Sequence, residues 1–186
     1  FALKGALFTV MSLTEEGTPE GSFALLAFQC NRQKHATRST WAAELYSAVD
    51  SSDYSLIIGS MFYEFAYGVA DSVHDRRLLR SNGNFPLPPM TITDSMSVMT
   101  SLAASVAKLP TEASTLHHVQ WLRELLTVGA LDGVAWSDTR DMLADAMTKG
   151  AIPRRALRRA CELAMWNREH PLKWIWSRKS IYRGRD

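Results

Sequence analysis

The first part of the chain consists of two apolar segments separated by turn-forming residues. Residues 5–13 and 22–30 are rich in apolar and aromatic side chains, whereas residues 14–21 contain two glycines and a proline. Apolar runs of this length with glycine and proline between them are typical of two strands joined by a turn. The pattern therefore predicts a β-hairpin over residues 5–30.

Residues 39–80 carry apolar side chains at helical rather than strand spacing. Ser39 or Thr40 can cap the first helix, which is predicted to end near Ser52. A second helical pattern covers residues 53–80, and the stretch SNGNFPLPP that follows it predicts a loop. Two successive helices are therefore expected after the hairpin.

Strands and helices alternate in the remainder of the chain. Residues 90–93 predict a short strand that stops at Asp94, and residues 131–137 predict another. A hairpin followed by strand–helix alternation indicates an α/β fold with a mixed sheet flanked by helices. The helices are expected at residues 95–108 with Pro110 beyond, at 112–128 with Gly129 beyond, at 139–149 with Asp138 as cap, and after residue 150 with Pro153 in the first turn.

The overall composition is that of an ordinary globular protein, with 46% hydrophobic and 22% charged residues in a chain of 186. No apolar run is long enough to cross a bilayer, so no membrane partner is expected. Cys30 and Cys161 lie far apart and outside any metal-spaced pair. This favours free thiols in a reducing, intracellular compartment, the cytoplasm or the nucleus.

Charge is distributed unevenly along the chain. Residues 149–186 contain eleven basic and three acidic residues, whereas residues 1–148 contain ten basic and sixteen acidic ones. We therefore predict a domain over residues 1–150, followed by a basic helix and tail over residues 151–186. A basic segment of this kind either attracts a polyanion such as nucleic acid or forms a solvated surface.

The basic segment combines arginines and tryptophans. Four of its arginines lie at i, i+4 spacing and would share one face of a helix, where they could bind a phosphate backbone or lie in solvent. Trp166, Trp174 and Trp176 could stack on bases, but packing against the domain is the favoured interpretation. The four arginines are Arg154, Arg155, Arg158 and Arg159.

Three acidic residues stand in apolar surroundings. Glu44 lies beside the apolar stripe of a helix, Asp94 follows a strand, and Asp145 leans toward an apolar helix surface. Carboxylates are rarely buried unless they are paired or bind a metal, and Mg²⁺ would offset their mutual repulsion if the three converge. Structural alternatives are open, because Glu44 could pair with Arg38 and Asp94 could cap the next helix. Asp145 could pair with Lys149 at i, i+4 spacing.

Three segments resemble the ribonuclease H domain of copia-type retrotransposon polyproteins. RQKHATRSTWAAEL resembles the R-S-T-x-A-A-E signature, and TITDSMSV resembles the strand that ends in a catalytic aspartate. VAWSDTRDMLADAMTKG resembles the closing motif, in which a tryptophan precedes L-A-D-x-x-T-K. The blocks occur in the family's order. The matched residues are Arg38, Ser39, Thr40, Ala42, Ala43 and Glu44 in the first block, and Leu143, Ala144, Asp145, Thr148 and Lys149 in the last, with Trp136 near the expected tryptophan.

The resemblance implies a ribonuclease H-like fold that hydrolyses the RNA strand of RNA–DNA hybrids. It assigns Glu44, Asp94 and Asp145 as catalytic residues and ligands of Mg²⁺ or Mn²⁺, and two such ions would activate water and stabilise the leaving oxygen. Arg38, Lys149 and the four arginines are predicted to bind the nucleic acid, although the four arginines lie outside the segments that carry the resemblance. RNA would be recognised by its 2′-hydroxyl and duplex shape, and a reverse transcriptase in the same polyprotein would be a partner.

The chain departs from the family pattern at the first strand, which carries a further catalytic aspartate in the family. No Asp or Glu precedes Glu15, so this strand is expected to be incomplete or missing and the site to hold three of four acids. Ser95 stands where the family often has asparagine, and Ser137 near the closing motif's proline. A second function is therefore open: a non-catalytic, degenerate or co-opted module that binds nucleic acid or serves as a subunit of a larger complex.

Overall fold

The computed structural model of the chain describes residues 3–33, 37, 39–68, 72–105, 113–149 and 154–177. The chain divides into two compact units. The first unit combines Phe1–Thr37 with Ser137–Lys173, and the second combines Arg38–Trp136 with Trp174–Asp186. Helices and strands are mixed, and the strands form two three-stranded sheets. The predicted α/β class is confirmed, but the described strands form two small sheets where one mixed sheet was predicted.

The predicted hairpin is confirmed and belongs to the first unit. Strand β1 (Leu3–Leu13) pairs antiparallel with β2 (Pro19–Arg32), so both strands are slightly longer than predicted. The turn is tight because the backbone N–H of Gly17 donates to the carbonyl of Thr14 at 2.9 Å. Gly17 has a φ of 78°, a left-handed conformation that glycine adopts without steric cost.

The second unit begins with one long helix where the sequence analysis predicted two. Helix α1 spans Thr40–Tyr67, and the hydroxyl of Ser39 accepts a hydrogen bond from the backbone N–H of Ala42. The predicted end near Ser52 is wrong. The Ser52 side chain is fully buried and hydrogen-bonds to the hydroxyl of Thr91 at 2.8 Å, so this serine is part of the packed interior of the unit.

The strands predicted after residue 89 are confirmed. Strand β3 (Met90–Thr93) pairs in parallel with β4 (Gly133–Trp136), with Met90 opposite Gly133 and Thr93 opposite Trp136. Gly129 ends the helix before β4, as predicted, in a left-handed conformation. The elements between α1 and β4 are α2 (Val73–Asn82), β3 (Met90–Thr93), α3 (Met96–Ala103), a 3₁₀ turn (Ala113–Thr115) and α4 (Leu116–Val128), and β4 is Gly133–Trp136.

The second unit is built around a continuous apolar core. Buried side chains from its four described helices and Val134 of β4 form one cluster, in which Leu45, Leu122 and Val134 are almost completely buried. Arg123 of α4 reaches the end of α3, where its guanidinium donates to the carbonyls of Ser101 and Ala104, each at 2.6 Å. Within this core α1 packs against β3 and α3 packs against β4.

The segment after β4 returns to the first unit and differs from the prediction. Residues 139–144 form turns, and helix α5 is limited to Asp145–Thr148. The predicted helix over residues 139–149 is therefore wrong. The physical reason is local: the Asp138 carboxylate accepts from the backbone N–H of Arg140 at 2.9 Å and from its guanidinium, which closes a turn instead of capping a helix.

Helix α6 (Arg155–Leu163) follows, and then two short strands that the sequence analysis did not predict. Strand β5 (Met165–Trp166) joins the edge of β2 in the first unit, and β6 (Lys173–Trp176) joins β4 in the second. The predicted Pro153 and the proposed domain boundary at residue 150 lie outside the described residues. None of the described helices is both long and apolar enough to cross a membrane.

The three tryptophans near the C-terminus pack against the protein, as the favoured interpretation predicted. Trp166 is buried in the first unit. In the second unit Trp174 and Trp176 stack with ring centroids 4.3 Å apart, and both rings lie over Gly133. A β-carbon at Gly133 would meet Trp174 at 3.0 Å and Trp176 at 3.1 Å, so glycine leaves the space that the rings fill.

Candidate functional site

Asp94 lies directly after β3, at the carboxyl end of a parallel strand pair, as predicted. The indole N–H of Trp136, at the end of the neighbouring strand β4, donates to the Asp94 backbone carbonyl at 2.9 Å. The cap of α3 is Ser95, whose hydroxyl accepts from the backbone N–H of Val98. Capping of α3 is therefore supplied by Ser95, and the Asp94 backbone is held by Trp136 at the strand end, where α/β proteins commonly bind ligands.

Glu44 lies in the second turn of α1 within the same unit as Asp94. Its side chain is half-buried beside Leu45, which is completely buried, so the predicted position at the border of the apolar stripe is confirmed. Helix α1 packs against both β3 and α3, the two elements that flank Asp94. Arg38, proposed as a partner of Glu44 and as a nucleic-acid contact, lies outside the described residues.

Asp145 belongs to the first unit and is engaged in an ion pair. Its carboxylate is 2.7 Å from the ammonium of Lys149, one helical turn further on, and the Asp145 side chain is 11% exposed. This is the structural alternative that the i, i+4 spacing predicted. Because Asp145 lies in the first unit and Glu44 and Asp94 in the second, convergence of the three carboxylates remains a prediction.

Carboxylate oxygens are the ligands that Mg²⁺ and Mn²⁺ prefer, so the donor atoms of Glu44, Asp94 and Asp145 fit the predicted ions in kind. Within the described ranges, no group of three or more His, Cys, Asp and Glu side chains comes together in a way that could hold a metal ion. The metal assignment therefore depends on the chemistry of these carboxylates and on the motif resemblance.

Some of the basic residues proposed to bind nucleic acid form ion pairs within the protein, and others do not. Lys149 is about half exposed and paired with Asp145, and Arg158 pairs with Glu162 at 2.8 Å. The other three arginines of the basic segment are exposed and form no ion pair within the described part of the chain. These are Arg154, Arg155 and Arg159.

A polar cluster in the first unit was not predicted. The Asp141 carboxylate is buried and accepts from the backbone N–H groups of Glu169 and His170, at 3.2 and 2.9 Å. It also lies 3.0 Å from Nδ1 of the His170 ring. A second contact to the same segment joins the Arg168 guanidinium to Glu20 at 2.6 Å. These contacts could not be predicted from apolar periodicity, because the partners lie far apart in the sequence.

Asp138, which is partly buried, pairs with the exposed Arg140 beside this cluster. Hydrogen bonds from the Arg140 guanidinium, and then from its backbone N–H, hold the pKa of the Asp138 carboxyl well below its usual range. The same pair raises the pKa of Arg140. The Arg140 guanidinium is therefore paired with Asp138.

A small apolar pocket of about 240 Å³ lies next to Arg140 in the first unit. Its walls come from the turn before α5, from α5 itself and from the start of α6. It has room for a few carbon atoms but offers few polar groups that could orient a substrate. The lining residues are Thr139, Arg140, Met142, Leu143, Ala146, Ala156 and Leu157.

With the fold and these contacts established, the chain was compared with known protein families, with curated proteins and with solved structures. None of the three comparisons found a match.

Proposed function

We propose that the chain is a ribonuclease H-like domain of the copia retrotransposon type, and that it hydrolyses the RNA strand of RNA–DNA hybrids. The observation that carries the proposal is the position of Asp94, directly after the parallel strand β3 and held through its backbone by Trp136. The three motif blocks, which occur in the order of that family, support the assignment of Asp94 as a catalytic residue and metal ligand.

Glu44 and Asp94 are the residues of the second unit that would hold Mg²⁺ or Mn²⁺, and the resemblance adds Asp145 as a third ligand. The bound metal would supply Lewis acidity for attack of water on the scissile phosphate. The carboxylates would orient the ions and balance their charge. For Asp145 to take part, its carboxylate would have to exchange the ammonium of Lys149 for a metal ion.

The test uses the chain extended upstream in its own reading frame, because the resemblance places a fourth acid before the hairpin. A labelled RNA–DNA hybrid should be cut when Mg²⁺ or Mn²⁺ is present. Asp94→Asn should abolish cleavage while the circular dichroism spectrum is unchanged, since an amide is a poor ligand for a hard cation. Asp53→Asn is the matched control: it makes the same chemical change at an exposed residue of α1 and should leave cleavage intact.

Trp136→Phe refines the same test. Phenylalanine keeps an aromatic ring but removes the N–H that donates to the Asp94 carbonyl. Cleavage should fall by less than with Asp94→Asn, and a higher Mg²⁺ concentration should restore part of it, because the ligand is displaced and not lost. Cleavage that survives Asp94→Asn, or that needs no metal, contradicts the proposal.

A non-catalytic nucleic-acid-binding module is the second candidate, and the Asp145–Lys149 ion pair favours it. A carboxylate already neutralised by a lysine is poorly placed to balance a metal ion. If the extended chain binds the hybrid in Mg²⁺ but never cuts it, this second function replaces the first.

A further inference from the structure

One face of α6 concentrates positive charge. At 3.6 residues per turn, the side chains of residues 154, 155, 158, 159 and 162 all project away from the side that carries Leu157 and Ala160. All five are exposed, whereas Ala160 is buried and Leu157 half-buried. The exposed face thus carries four arginines and a single glutamate, and is called the arginine face below.

The arginine face is fixed in orientation by the packing of α6. The helix contacts β2 and β5 of the same unit, and the carbonyl of Ala164, just beyond its end, accepts from the backbone N–H of Phe23 at 2.8 Å. Rotation of α6 about its axis would expose Ala160. The four arginines are therefore held on the outer side of the unit.

The arginines of this face are not equivalent. Arg158 donates to Glu162 at 2.8 Å, in an i, i+4 pair that partly neutralises the centre of the face. Within the described residues, the side chains of Arg154, Arg155 and Arg159 make no hydrogen bond and no ion pair. Exposed cations without a partner keep their hydration and remain available to an incoming anion at little cost.

Arg155 and Arg159 are one helical turn apart, with β-carbons separated by about 5–6 Å in an α-helix. Each guanidinium can hold a phosphate through two parallel hydrogen bonds. Interfaces between proteins usually have an apolar centre surrounded by polar residues. The centre of the arginine face is the charged pair Arg158–Glu162, so its composition fits a phosphodiester backbone better than a protein surface.

We infer that the arginine face of α6 is a sequence-independent binding surface for the phosphodiester backbone of a nucleic-acid duplex. The inference deepens the proposed function and rests on it for the identity of the duplex as an RNA–DNA hybrid. Arg155 and Arg159, with Arg154, make the phosphate contacts. Glu162 limits the contribution of Arg158 by holding its guanidinium.

The salt dependence of binding measures this surface directly. Each phosphate neutralised by a protein cation adds about 0.9 to the slope of log affinity against log salt concentration for a B-form duplex. The double variant Arg155→Gln/Arg159→Gln should therefore flatten the slope by about 1.8. Both side chains are exposed and have no partner among the described residues, so the variant should fold normally.

The probe is a fluorescent RNA–DNA hybrid, titrated with the chain in EDTA at several KCl concentrations so that no cleavage occurs. Arg140→Gln is the matched control, because it removes one arginine charge from the same unit but from a residue that is bound to Asp138. It should leave the slope unchanged. Glu162→Gln should steepen the slope by up to about 0.9, since it releases Arg158.

An unchanged slope in the double variant overturns the inference. So does a flattening of about 0.9 in Arg140→Gln, half of that expected for the double variant, which would show that only net charge matters, or binding of poly-glutamate with no binding of the hybrid. The proposed hydrolysis fails separately, through the cleavage assay with Asp94→Asn. A flattened slope without cleavage would therefore support the binding surface and contradict the proposed hydrolysis.

Discussion

In the second unit, the helices and β4 contribute to one continuous cluster of buried aliphatic and aromatic side chains. In the first unit, two specific polar contacts hold the segments that follow β4: Asp141 accepts from the backbone of residues 169–170, and Arg168 pairs with Glu20. Apolar burial is non-directional and scales with area, whereas a buried carboxylate depends on a few specific donors. The two units should therefore respond differently to substitution.

Leu122→Ala should produce the largest effect. Leu122 is 1% exposed in the core of the second unit, and its truncation should lower the free energy of unfolding by about 3 kcal/mol, through lost burial and the cavity left behind. Urea denaturation measures the change. Leu78→Ala, at a leucine of α2 that is 43% exposed, should cost less than about 0.5 kcal/mol. Equal effects at the two positions would refute the proposed core.

Asp141→Ala should produce the next largest effect, in the first unit. It leaves the backbone N–H groups of Glu169 and His170 without their acceptor, which should cost about 2 kcal/mol in the free energy of unfolding. The same urea titration applies, with Glu16→Ala in the exposed hairpin turn as control. A loss below about 0.5 kcal/mol would mean that this polar contact does not stabilise the unit.

Lys149→Gln should have a small effect. The lysine is 49% exposed, and an i, i+4 ion pair of this kind contributes about 0.5 kcal/mol or less and weakens with salt. The unfolding free energy at low and high salt provides the measurement. A loss as large as that of Asp141→Ala would show that the Asp145–Lys149 pair is a principal contact of the first unit.

The smallest expected effect is the loss of the contribution of Asp138 to folding stability at low pH. Its pKa is held below the usual value by the Arg140 guanidinium, so its contribution to stability is present above about pH 4 and is lost as the pH falls through the lowered pKa. The stability difference between the native chain and Asp138→Asn should therefore shrink as the solution is acidified from about pH 5. A difference that does not change with pH would contradict this assignment.

Most helices and strands of the second unit were predictable from the sequence, because the spacing of apolar residues determines where they lie. The start of α1, the end of α4 at Gly129, and β3 all follow from local patterns. The missed end of α1 illustrates the limit: Ser52 resembles a helix-ending residue, but its hydroxyl is satisfied by Thr91, 39 residues away. A contact over that distance leaves no periodic signal.

In the first unit, local patterns predicted the hairpin, helix α6 and the Asp145–Lys149 ion pair, but not the remaining contacts. Strand β5 pairs with β2, and the segment after it is held by the contact of Arg168 with Glu20, which are 148 residues apart in sequence. The candidate site also combines a feature that local sequence predicts with a contact that it does not. The strand-end position of Asp94 follows from the pattern of β3, whereas its contact with Trp136 does not.

The most direct test of the central claim is to locate a divalent cation beside Glu44 and Asp94. Fe²⁺ can replace Mg²⁺, and with ascorbate and peroxide it generates hydroxyl radicals that cut the polypeptide next to the ion. The account predicts cuts close to residues 44 and 94 of the extended chain, suppressed by excess Mg²⁺ and absent in Asp94→Asn. Cuts at neither position, or an identical pattern in Asp94→Asn, would contradict it.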